Sequence, residues 1–233
     1  METYVVKNEK DFEKIKDEKG YSYKGNLRIE CNLKFIGRLY VEGYLSIEAG
    51  SFIKAGDSIE AGGFIEAGSF IKAGYYIKAG TSIKAGSFIK AGTSIKAGDY
   101  IEAGSFIKAG DSIKAGDSIK AGSFIEAGSF IKAGSFIEAG SFIKAGTSYG
   151  IYAGLSITCK GKLIYGLKCF AGICTWRSIT DNEKTITCGK HEGGVVEYGI
   201  LKEIGLEKSK TIISRESALS MLKTKYNEDF EIV

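Results

Sequence analysis

One phrase of six residues limits what this chain can become. It reads Ser51-Phe52-Ile53-Lys54-Ala55-Gly56, and from there to Gly146 every copy carries Ile, then Lys or Glu, then Ala, then Gly. A fixed short period is the mark of a solenoid, in which each repeat is stable only because it stacks on its neighbours. A helix is excluded, because a period of six does not match 3.6 and a Gly would interrupt every second turn. Alternation within the phrase fits a short strand, with Ser, Ile and Ala on one face and Phe and Lys on the other. Gly supplies the corner, where positive φ costs it nothing.

A longer period lies inside the shorter one. Every third phrase carries Phe before its Ile, at Phe52, Phe70, Phe88, Phe106, Phe124 and Phe142, and Ser before each Phe. The other two sets are mixed: Phe64, Ser82, Tyr100, Ser118 and Phe136 in one, Ser58, Tyr76, Ser94, Ser112 and Phe130 in the other. Three hexads, 18 residues, give a triangular coil with one hexad per side and equivalent residues in ladders about 4.8 Å apart.

These phrases resemble the hexapeptide-repeat family, whose members form left-handed parallel β-helices; the likeness covers roughly the middle half of the chain. Val41-Glu42-Gly43-Tyr44-Leu45 and Asp57-Ser58-Ile59-Glu60-Ala61-Gly62-Gly63 also resemble the bactofilins, filament-forming right-handed β-helices. The chain departs from the hexapeptide pattern at Asp57, Asp99, Asp111 and Asp117, where the family places a small inward residue. A buried unpaired carboxylate is costly, so that slot is expected at a corner.

The expected organisation is an all-β triangular solenoid with short helical caps at both ends. Residues 1–25 read as an N-terminal cap: a strand over Thr3 to Val6, then a helix from Asn8 as N-cap through Lys19, closed by Gly20. Residues 26–150 form the regular coil, with Ile29, Phe35, Val41 and Ile47 six apart and in phase with Ile53. Thr147-Ser148-Tyr149-Gly150 adds two residues, a bulge or widened corner. Residues 151–233 continue the coil irregularly, with a protruding loop over Thr175 to Lys184, a strand over Val195 to Leu201 with a partner around Lys210 to Ile213, and a C-terminal helix from Ser214 to about Lys225 that buries Ala218, Met221 and Leu222.

Charge and cysteine narrow the function classes. The net charge is +4 and the signs alternate along the linear repeat, so no basic block recommends nucleic acid. The N-terminus lacks a signal-peptide core and no run is long enough to cross a membrane, so a cytoplasmic protein is expected. Cys31, Cys159, Cys169 and Cys188 each follow an aliphatic-x pair, as Ala does in the repeat, and read as small core residues; only Cys174 lacks that explanation. A metal site from Cys159, Cys169, Cys174, Cys188 and His191 has no zinc-motif spacing, so no metal or cofactor is expected.

Many hexapeptide-repeat proteins are acyltransferases that use a His base near a loop. The perfect hexads here have neither, and the one His, His191, lies beyond them beside Glu192. The expectation is therefore a non-enzymatic rigid scaffold or steric inhibitor that binds a protein partner and self-associates; the alternatives are a self-assembling filament protein of the bactofilin kind and a hexapeptide-repeat acyltransferase. The expected face is Phe52, Phe70, Phe88, Phe106, Phe124 and Phe142 with Lys54, Lys72, Lys90 and Lys108, roughly several hundred Å² of apolar surface. Trp176, Arg177 and His191 form a second candidate, a C-terminal binding loop.

Overall fold

Residue i stacks on residue i+18 through the middle of the chain. The computed structural model describes residues 1–175 and 177–204. Strands Ile53–Ala55, Ile71–Ala73 and Ile89–Ala91 pair in parallel, Ile on Ile, Lys on Lys and Ala on Ala. Three such strands complete a coil, and about ten coils stack into an all-β parallel solenoid with three walls. Wall 1 runs from Thr3–Val6 to Ile200–Glu203 in eleven strands. Walls 2 and 3 begin with Leu33–Phe35 and Gly20–Tyr23. They are joined near the other end, where the ten-residue strand Lys162–Ala171 serves both.

The interior follows from the alternation. The hexad Ile side chains from Ile53 to Ile143 are at most 1% exposed and the Ala side chains between them 2–3%. Each buried Ile contributes about 1.5–3 kcal/mol, and it does so only while a coil lies above and below it. Asp57, Asp99, Asp111 and Asp117 are exposed at corners, as their chemistry requires. Their main-chain groups tie the coils together, as in Asp117 N–H donating to the Asp99 carbonyl at 2.7 Å.

The hexad glycines have a different reason from the expected one. Among the described residues, positive φ occurs at Gly20, Gly37, Gly50, Gly172, Gly193 and Gly199, and none of these closes a perfect hexad. The hexad glycines are needed for close approach: a Cβ on Gly92 would sit 1.9 Å from the Gly74 carbonyl oxygen one coil below.

Three further readings are corrected by the register. First, Leu27, Leu33, Leu39 and Leu45 occupy the Ile slot, while Ile29, Phe35, Val41 and Ile47 occupy the Ala slot. The phase changes by two residues at the turn Glu48–Ser51, where Ser51 N–H donates to the Glu48 carbonyl and Gly50 takes φ +80°. The second two-residue insertion falls where expected, since Ile131 pairs with Ile151 rather than with residue 149.

Second, the helix α1 spans only Glu9–Glu13, capped by Asn8, whose side chain accepts from Asp11 N–H. Beyond it, Lys16–Asp17 and Gly20–Tyr23 pair as an antiparallel hairpin, and Gly20–Tyr23 continues directly into wall 3. The segment 1–25 thus supplies rungs of its own, with Thr3–Val6 on Asn26–Ile29. Phe12 of α1 stacks on Tyr21 (4.0 Å) and packs at a tilt against Phe35 (4.8 Å), laying aromatic rings over the first coil.

Third, the cysteines divide. Cys159 stacks on Ala139 and Cys188 lies at the end of the next rung, both buried in the small slot. Cys169 instead pairs with Ile151, in the large slot, on the same strand as buried Tyr165. Cys31 lies past its strand and is half-buried. The expected partner strand around Lys210 to Ile213 and the helix Ser214 to Lys225 lie outside the described residues.

Candidate interaction surface

The corner between walls 1 and 2 carries the Phe column. Phe52, Phe70, Phe88, Phe106, Phe124 and Phe142 lie outside the coil, each half-buried. Successive ring centroids are 4.4–4.8 Å apart and their planes differ by no more than 8°. The stack is ordered because the main chain beneath it is: Ile53, Ile71, Ile89, Ile107 and Ile125 N–H groups each donate to the carbonyl of the Phe one coil on. At its lower end the column stops at Asn32, whose Oδ1 accepts from Phe52 N–H at 3.2 Å. Each ring gains offset stacking on its neighbours, which accounts for part of its cover.

Beside the rings runs a column of charge that the linear order conceals. Sorted by coil, wall 2 presents Lys34, Lys54, Lys72, Lys90 and Lys108 on consecutive rungs. Glu126 then interrupts the lysines, with Lys108 at 2.8 Å and Lys144 at 3.7 Å. Wall 3 does the same with Lys78, Lys96, Lys114 and Lys132, closed at one end by Glu60, 2.5 Å from Lys78. The alternation of sign read along the chain therefore survives on one wall only, wall 1. Like charges one rung apart repel, so lysine columns of this kind are a standing cost to the rod. Lys54, Lys72, Lys90 and Lys108 are half-buried, as expected of stems lying along neighbouring apolar surface with their ammonium groups in water.

Two residues of the second candidate, Arg177 and His191, lie among the described residues. Arg177 is committed within its own loop: its Nη2 donates to Glu183 Oε1 at 2.5 Å and its Nη1 to Oε2 at 3.2 Å. Glu183 also accepts from Thr180 N–H, forming a capping box on the short 3-10 helix Asp181–Lys184. The Arg177 bonds, then the Thr180 N–H, hold the Glu183 carboxyl down at about 2. Trp176 lies outside the described residues. His191 is in the strand Lys190–Tyr198 rather than in a loop, paired with Leu163 and packed on Tyr165 at 5.1 Å. Its Nε2 is buried without a hydrogen-bond partner among the described residues. Its neighbour Glu192 is held by Lys162 at 3.0 Å and Lys190 at 2.9 Å, and adjacent strand residues face opposite ways.

Burial pushes the Cys159 and Cys169 thiols up to about 12 and Cys188 up to about 11, so none supplies thiolate near neutral pH. Among the described residues no group of three or more His, Cys, Asp or Glu side chains is placed to hold a metal ion. No helix among them is long and apolar enough to cross a membrane.

Two surfaces escaped the sequence reading. A cleft lies between α1 and the first coil, lined by Phe12, Glu13, Tyr21, Leu33, Phe35 and Ile36. Two smaller clefts repeat one above the other on wall 1, at Ser82 and at Ser118. The first depends on the helix ending at Glu13; the second pair was legible by sorting residues at 18 and reading charge together with ring. Comparison with family models, with curated proteins and with solved structures returned no match.

Proposed function

We propose that this protein is a non-enzymatic interaction rod, a scaffold or steric inhibitor, that docks a protein partner rich in acidic side chains along the Phe column. The observation that carries this reading is the pairing of six stacked outer rings with lysines on five of their six rungs. An apolar strip bordered by one sign of charge has the anatomy of an interface, with rings to bury and cations to steer and align an anionic face. The rigid coil fixes the rings at a constant pitch, so little ordering entropy remains to be lost on binding. The inward seat of His191 and the engagement of Glu192 with two lysines support the non-enzymatic part of the reading.

The same charges disfavour a second copy at this column. Two antiparallel columns brought together would set Lys54 against Lys144 and Lys90 against Lys108, with only Lys72 meeting Glu126.

The test uses a substitution that the chain itself validates, because Ser82, Ser94, Ser112 and Ser118 occupy the equivalent slot in other hexads. Peptide-display selection on the intact protein is expected to enrich segments that interleave Asp or Glu with apolar residues, and F88S/F106S should lose them while remaining folded. Peptides that bind F88S/F106S as well as wild type, or single-stranded DNA binding that ignores both substitutions, would overturn the reading.

A further inference from the structure

Wall 1 carries a pattern with twice the period of the coil. Its corner column reads Phe64, Ser82, Tyr100, Ser118, Phe136, Ser156, an aromatic ring on every second rung. Its charge column reads Glu66, Lys84, Glu102, Lys120, Glu138, Thr158 on the same rungs. Rungs with a ring therefore carry Glu, and the two Ser rungs between them carry Lys. Each of these two Ser rungs is a notch: Ser82 lies between Phe64 and Tyr100, and Ser118 between Tyr100 and Phe136. The rings flanking a notch are two rungs apart, about 9.6 Å, which leaves one rung spacing of about 4.8 Å on either side of an inserted ring. Tyr100 and Phe136 project furthest, each 39% exposed.

We infer that wall 1 is the seat of a second copy of this chain, docked antiparallel so that the rings of each rod enter the Ser notches of the other. The reason is self-complementarity in shape and charge at one offset. A two-fold axis lying in the wall along the strands, midway between the Tyr100 and Ser118 rungs, keeps each column facing its own kind and reverses the rungs. Tyr100 then meets Ser118 of the second copy, Phe136 meets Ser82, and Phe64 meets Ser156. The same operation sets Glu102 against Lys120 and Glu138 against Lys84. Moving the axis down by one rung, between Ser82 and Tyr100, sets Phe136 against Tyr44, and moving it up by one rung leaves Glu102 facing Thr158 and Lys84 facing Thr187, so the central placement is the one that pairs all four central charges without a ring clash. No such offset exists on walls 2 and 3, whose charge columns are mostly Lys. The footprint, six rungs at about 4.8 Å by one hexad at about 3.3 Å per residue, is about 600 Å² before side-chain relief. That is near the size of a modest stable interface, so pairing in the micromolar range is expected.

Sedimentation of the full chain across about 1–100 µM tests this range. Wild type should populate a dimer. S82F/S118F, which fills the notches with rings of the kind already stacked in the Phe column, should weaken the dimer at least about ten-fold without unfolding the rod. K84E/K120E, with an all-acidic wall, and E102K/E138K should each be monomeric alone and form a heterodimer when mixed. F88S/F106S should leave the dimer intact, which separates this surface from the docking column proposed above. A monomer throughout the range, a dimer indifferent to S82F/S118F, or a mixture that fails to pair would overturn the inference.

Discussion

Replacing Gly92 with Ala adds one methyl group, and the coil has no room for it. The new Cβ would lie 1.9 Å from the Gly74 carbonyl oxygen, whereas real Cβ atoms essentially never come within 3.0 Å of such an atom. The two coils must part locally by about 1.1 Å, because the obstruction is main chain and cannot rotate away. Two inter-coil hydrogen bonds bracket the spot: Gly92 N–H to the Ala73 carbonyl at 3.2 Å and Thr93 N–H to the Tyr75 carbonyl at 2.7 Å. Such an opening would stretch both beyond useful range. Each is worth about 1 kcal/mol net, and imperfect packing of Ile89 and Ile95 adds to the loss, so G92A should cost about 2–4 kcal/mol. Gly50 is the control, since its φ of +80° strains an Ala but nothing lies within 4 Å of the new Cβ. G50A should cost only about 1 kcal/mol. Urea unfolding followed by circular dichroism gives both values, and hydrogen exchange should show the amides of Gly92 and Thr93 losing protection selectively. If G92A loses less than G50A, close approach is not what the hexad glycines are for.

Three other expectations follow from the same geometry. F106S removes two stacking contacts, to Phe88 and Phe124 at 4.8 Å each, and should cost about 1–2 kcal/mol in urea while leaving the far-ultraviolet spectrum unchanged. Glu183 stands at about 2 against an ordinary 4.5, so its contribution is complete above pH 4.5 and is lost as the pH falls through about 2. The Thr180 amide resonance should therefore titrate with a midpoint near 2, moving towards 4.5 in R177Q; a wild-type midpoint at 4.5 would refute the staple. A thiol reagent at pH 8 should modify half-exposed Cys31 and Cys174 and spare Cys159, Cys169 and Cys188 until denaturant is added, whereas prompt modification of all five would contradict their burial.

The three-walled coil was legible because the hexad is redundant: Ile and Ala mark the inside in every copy, and Phe at every third copy counts the walls. The phase of the first coils was not, because Leu-x-Ile, Leu-x-Phe and Leu-x-Val place a large apolar residue in both inward slots. Either residue of such a pair can be taken for the Ile of the hexad, and only the turn at Glu48–Ser51 decides. The charge columns were hidden for another reason. Lys54 and Lys72 are neighbours only after one full coil, while the linear order places Glu60 and Glu66 between them. Helix α1 stops early because the hairpin at Gly20–Tyr23 claims the following residues for wall 3, a long-range pairing that no local propensity reports.

Spin-label distances measure the coil directly. With Cys31 and Cys174 replaced by Ser, labels at 54/108, 54/126 and 54/144 span three, four and five rungs of wall 2. Pulsed electron resonance should give distances that rise by about 4.8 Å for each 18 residues, from about 14 to about 24 Å. Distances that fail to grow linearly, or grow at another rate per 18 residues, would contradict the three-walled coil on which every surface described here depends.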